Sequence, residues 1–161
     1  MQNKGTMSSP TTKQLAQWRV FLETALALID ILDAEMQAQR GITIGWYDVL
    51  VHLEDAPEGL PMTEIANRIL FSKSGLTRVI DRMEAASLVR RERPPEDRRV
   101  VKVLLTPTGL DTLNAARTVH RHGIQEHFTS HLDPAKLEQL AHTLQPVREH
   151  IQPLRPGRIS P

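Results

Sequence analysis

The densest chemistry in this 161-residue chain lies behind Ser72, where Ser74, Thr77, Arg78, Asp81 and Arg82 follow one another. Leu76, Val79, Ile80 and Met83 recur through the same stretch at the spacing of one buried helix face. The small and cationic side chains therefore fall mostly on the other side. Ser72 is suited to be the N-cap, its hydroxyl accepting a bond from an unpaired amide of the first turn. Small side chains let a backbone come close to a surface, and arginine makes paired bonds to guanine edges. The implied chemistry is contact with the major groove of duplex DNA. From Arg68 to Lys102 ten cations stand against five anions, a local net charge of +5 in a chain whose total is +1. The positive charge is thus concentrated in one segment, as a phosphate-facing surface requires. A solvated helix and hairpin whose arginines only aid solubility is the plainer reading. The coincidence of charge with a capped helix and a hairpin favours DNA.

The flanking elements follow from local pattern. Leu88 to Arg93 and Val100 to Leu105 read as strands, bridged by Pro94, Pro95, Glu96, Asp97 and Arg98. Proline lacks an amide donor, so the diproline belongs in the turn of a hairpin with arginines at its tip, a wing. Thr106 caps the next helix and Pro107 opens it, where no donor is lost. Upstream, a helix from Thr43 to Glu54 is followed by the turn Ala56-Pro57-Glu58-Gly59. Leu60-Pro61-Met62 forms a short strand pairing with the wing. A third helix, Thr63 to Leu70, is capped by Thr63 and joined through Leu70-Phe71 to the Ser72 helix, a helix-turn-helix.

Both ends of the chain predict long apolar helices. Leu15, Trp18, Leu22, Ala25, Ile29, Leu32 and Met36 step by threes and fours from Thr12 to Gln39, with Phe21, Leu26 and Leu28 widening the stripe. A helix runs from Pro107 to about Leu132. Another opens on Asp133-Pro134 and carries Leu137, Leu140, Leu144, Val147 and Ile151, with Pro146 expected to kink or end it near Gln145. One small lobe cannot cover that much apolar surface, so partner helices from a second chain are expected.

The run from Trp46 to Gly109 resembles the MarR family of bacterial winged helix-turn-helix transcription regulators. WYDVLVHL, MTEIANRILFSKSGLTRVIDRMEAASLV and the wing pattern Asp97-x-Arg99, then Val103-x-Leu105-Thr106 and Gly109, carry the likeness. It implies a mainly α fold with a small β-wing. A single domain over 13–152 would hold the winged helix-turn-helix DNA-binding lobe at 43–106 and α-helical dimerisation regions at 13–42 and 107–152. Residues 1–12 and 153–161 would be loose tails. It also implies that Ser72, Lys73, Ser74, Thr77, Arg78 and Arg82 lie along the major groove, Lys73 on phosphate and Arg78 on a base. Arg99 would enter the minor groove with Asp97 orienting it, and Arg98 would touch phosphate. Asp97 could instead be an ordinary turn residue, but the Asp-x-Arg spacing after the diproline turn favours the orienting role. The position of Ser87 is commonly glycine in the family, where the helix ends left-handed.

The family usually acts as a homodimeric repressor on a palindromic operator, often released by a small aromatic or phenolic ligand. Candidate pocket walls here are Trp18, Trp46, Tyr47, Asp48 and His52, although aromatics at helical spacing more often serve the core. His120, His122, His127 and His131 fall in one expected helix. His127 and His131, one turn apart, form a weak zinc pair that Glu126 could extend, and buried interface histidines are the commoner outcome. A zinc-responsive regulator of the same fold is one alternative, and a helical dimerisation scaffold that does not bind DNA is another. There is no cysteine, glycine-rich phosphate loop, nucleophile motif or HExxH, so neither an enzyme nor a cofactor is expected. No apolar run approaches a membrane span and the start lacks a signal-peptide core, so a cytoplasmic protein is expected.

Overall fold

The structure is a computed structural model, and residues 9–70, 75–95 and 99–154 are described. Six α-helices and three short strands follow in the order α1 (Thr12–Arg40), α2 (Ile44–Glu54), β1 (Leu60–Pro61), α3 (Met62–Arg68), α4 (Leu76–Ala85), β2 (Val89–Glu92), β3 (Lys102–Leu105), α5 (Pro107–His127) and α6 (Pro134–Ile151), with 3-10 turns at Thr129–His131 and Gln152–Leu154. The strands form one antiparallel sheet in the order β1-β3-β2. Leu60 lies opposite Val103 and Val89 opposite Leu105. The sheet closes the helix-turn-helix of α3 and α4 into a winged helix. No helix among the described residues is long and apolar enough to cross a membrane.

One core joins these pieces. Met36 of α1, Leu50 and Leu53 of α2, Ile65 of α3, Ile80 and Met83 of α4, Val103 of β3 and Leu113 of α5 meet in it. Each such side chain contributes about 1.5–3 kcal/mol when fully removed from water, which holds the short α3 and α4 in place despite their length. Helix ends are set by specific bonds. Thr11 and Gln14 cap α1 reciprocally, and Thr43 and Thr106 cap α2 and α5 through their hydroxyls. Gly109 has no substitute, because a Cβ there would lie 2.0 Å from the Leu88 carbonyl oxygen. The absent side chain lets α5 start directly against the end of α4.

The end of α4 is a Schellman turn. The Leu88 amide donates to the Met83 carbonyl and the Ser87 amide to Glu84, both at 2.9 Å. The turn demands a left-handed residue, and Ser87 supplies it at φ 60°.

Four boundaries differ from the sequence expectation. Gly75, with φ 83°, is the N-cap of α4, which begins at Leu76, and Ser72, the expected cap, lies outside the described residues. Thr63 is inside α3 rather than its cap, because the β1 strand holds Pro61 extended and the chain turns into helix at Met62. α5 stops at His127, and Thr129–His131 forms a separate 3-10 turn. Pro146 does not end α6, which continues to Ile151. The carbonyl it leaves unbonded sits on an exposed helix, where water can satisfy it.

Candidate nucleic-acid interface

The core grips α4 by Leu76, Ile80 and Met83, and this orientation turns Thr77, Arg78 and Arg82 outward to solvent. Arg78 and Arg82 are one turn apart on the same face. Among the described residues no carboxylate pairs with either. The anions of α4 are instead drawn back toward the sheet. Arg91 of β2 binds Asp81 at 2.7 Å and Glu84 at 2.6 Å, and its amide donates to Glu84 at 2.9 Å. Burial works against the Arg91 charge, but the two carboxylates outweigh it and raise the guanidinium pKa further. The outcome is an exposed α4 face whose arginines are available and whose acids are occupied.

The wing follows β2 and β3, with Glu92 opposite Lys102 and paired laterally with Arg90. Arg93, Pro95 and Arg99 are exposed at its end, while Pro94 is buried. Ser72, Lys73 and Ser74, expected at the front of the recognition surface, and Asp97 and Arg98, expected at the wing tip, lie outside the described residues.

The five candidate pocket residues do not converge on one cavity. Trp18 stands 56 % exposed on the first turns of α1, its ring 5.7 Å from Phe21. Trp46 packs against the core, and Tyr47 faces His120 with ring centroids 4.7 Å apart. Burial pushes the His120 pKa down. Successive helical residues point about 100° apart, so Trp46, Tyr47 and Asp48 cannot share a wall. Asp48 and His52, one turn apart, do. They line a cleft of about 650 Å3 with Arg68, Leu70, Arg148 and Ile151. Asp48 has a structural task as well. It is 8 % exposed, and its carboxylate accepts the Leu70 amide at 2.6 Å, which anchors the chain entering the helix-turn-helix turn. His52 Nε2 lies 3.6 Å from the other carboxylate oxygen.

The histidines also separate. His127 Nε2 meets Glu35 of α1 at 2.6 Å, whereas the His131 ring turns back on the Glu126 carbonyl at 3.0 Å. With α5 ended at His127, the two rings no longer occupy consecutive turns of one helix. His122 contacts Glu126 at 3.4 Å.

The sequence profile of the MarR family matches residues 40–100, from the end of α1 past β2 and stopping short of β3. The fold is similar to that of AbsC, a MarR family transcriptional regulator from Streptomyces coelicolor, with a TM-score of 0.80 and 33 % identity over 91 % of this chain and 99 % of that one. The chain belongs to the MarR family. Sco3205, a MarR family regulator of the same organism solved in complex with DNA, is 28 % identical over 92 % of this chain and 93 % of that one, with a TM-score of 0.83. The uncharacterized HTH-type transcriptional regulator YsmB of Bacillus subtilis strain 168 is 28 % identical over 127 residues, 79 % of this chain and 86 % of the relative.

Within this MarR-family frame, two participants escaped the sequence reading. Arg91 counted only as one more cation, yet it is the residue that neutralises the acids of α4. Its alternation with Arg90 on a short strand was the available signal, since neighbouring strand residues face opposite sides. Glu35 gave no signal, because its partner lies 92 residues away.

Proposed function

We propose that this chain is a homodimeric, sequence-specific DNA-binding repressor that binds a palindromic operator and is released by a small aromatic or phenolic ligand. The observation that carries the reading is the α4 face, where Arg78 and Arg82 are exposed on a helix fixed from behind and Arg91 withdraws the neighbouring acids. A helix so held, beside a wing, has the geometry that places side chains on base edges in the major groove. Thr77, Arg78 and Arg82 are its described contacts, and Arg99 is the wing's.

Two copies are supported by the apolar surface of the terminal helices. Leu15, Trp18, Phe21, Leu22, Leu26 and Ile29 of α1 are all exposed in the single chain. A second copy of α1 and α6 laid on them would remove that surface from water, and two-fold symmetry would set two α4 helices on one duplex. Release by an aromatic acid or phenol is supported by the cleft at Asp48 and His52. It combines apolar walls from Val51, Leu70 and Ile151 with the guanidinium of Arg148. It also touches the Asp48–Leu70 bond that anchors the helix-turn-helix.

The test is a gel shift with the DNA directly upstream of the chain's own gene, against random duplex competitor and then with a panel of aromatic acids. A competitor-resistant complex that one of the acids dissolves is the expected result. Equal loss to random duplex, falling steeply with salt, would reduce the interface to a non-specific electrostatic surface.

A further inference from the structure

Outside the DNA-facing lobe, three ligating side chains converge where α1 lies across the end of α5. Gly123 makes the approach possible, because a Cβ there would fall 2.5 Å from Leu32 Cδ2 and 2.7 Å from Glu35 Oε2. The Glu35 carboxylate therefore rests directly on the α5 surface. One turn further on, it meets His127 Nε2 at 2.6 Å. Glu126 adds a second carboxylate, and one donor atom from each of Glu35, Glu126 and His127 lies within 4.8 Å of the others.

Charge makes this arrangement incomplete. Two carboxylates brought together repel, and His127 and His122 balance them only when both imidazoles are protonated. A divalent cation balances both carboxylates. One imidazole nitrogen and two carboxylate oxygens, with no thiolate, form an N/O donor set that suits zinc or a neighbouring first-row ion better than calcium or magnesium. Tetrahedral zinc with bonds of about 2.1 Å holds its donors about 3.4 Å apart, so Glu35 and His127 open from 2.6 Å to admit the ion within a cluster that spans no more than 4.8 Å. Glu35 and His127 are about three-quarters shielded, at 26 % and 25 % side-chain exposure, while Glu126 opens to solvent as an entry side. His122, 3.4 Å from Glu126 Oε2, orients that carboxylate from behind. Water would take the fourth position of a tetrahedral ion.

We infer that Glu35, Glu126 and His127 form a binding site for a divalent transition-metal ion, zinc foremost, that fastens α1 to the C-terminal end of α5. The site differs from a pair built on His127 and His131, because its decisive ligand comes from another helix. It stands independently of the proposed regulation, and its test needs no DNA.

The full chain, stripped with chelator and dialysed, is titrated with zinc chloride in competition with a chromophoric chelator. The expected result is one zinc per chain, with affinity lowered at least tenfold in Glu35→Gln and in His127→Gln. Glu126→Gln, which alters an exposed side chain and so leaves folding intact, lowers it as well. Circular dichroism checks the fold of each variant. Failure of the wild-type chain to take up zinc would leave the cluster as an ion pair between helices and overturn the inference. Unchanged affinity in Glu126→Gln together with Glu35→Gln would do the same by assigning the metal to other histidines.

Discussion

The winged lobe and the terminal helices solve opposite problems. In the lobe, Ile65, Ile80, Met83 and Val103 are fully buried by their own chain, and what remains outside on α4 is polar and cationic. In α1 only Leu32 and Met36 are buried, and a row of large apolar side chains faces solvent. α6 buries none. The lobe is complete as one chain and turns its outer surface to a charged ligand. The ends leave apolar side chains exposed in one chain, the surface that the proposed dimer would cover. The contrast places stability, assembly and recognition in different residues, which can be altered separately.

Removing everything from Asp133 onward should have the largest effect, converting a dimer to monomer by light scattering. A persisting dimer would transfer the interface to α1 alone. Met83→Ala, by contrast, empties a site inside the lobe. It should cost about 2–5 kcal/mol in a denaturant melt, while the dimer of the folded fraction survives. Arg99→Ala should weaken operator binding about tenfold or more, the scale of a charged hydrogen-bonded contact, while the melt shifts by no more than about 1 kcal/mol, the scale of an exposed charged contact. Unaltered affinity would remove the wing from the interface. Ser87→Gly should be the smallest, stabilising by about 1 kcal/mol because glycine adopts a left-handed turn without the steric cost. A loss of stability there would mean that the serine side chain is itself a needed contact.

Much of the lobe was legible because its signals are local. The spacing of Leu76, Ile80 and Met83 and the Thr106-Pro107 start of α5 depend on residues within a turn or two, whereas the pairing of Leu60-Pro61 with the wing strand and the left-handed ending at Ser87 were carried by the family pattern. Pattern failed where something non-local or stereochemical decided. Spacing alone could not place the start of α4, where Gly75 takes a left-handed conformation as the N-cap. Pro146 is a helix breaker in a buried segment and only a local defect on exposed α6. At the candidate sites, the outward face of Arg78 and Arg82 follows from helical spacing. The Arg91 bridge to Asp81 and Glu84 and the Glu35 contact with His127 arise from tertiary packing, which no local spacing encodes.

The central claim is that the α4 face and wing read DNA sequence rather than charge alone. The most direct measurement is the dissociation constant of the wild-type protein for the upstream operator and for a scrambled duplex of equal length, across a salt series. Sequence reading predicts operator binding tighter by roughly 10³ or more at physiological salt. In the same assay Arg78→Ala should relax discrimination at one base pair by about 1–3 kcal/mol. Equal constants for the two duplexes, converging to no binding as salt rises, would contradict the account.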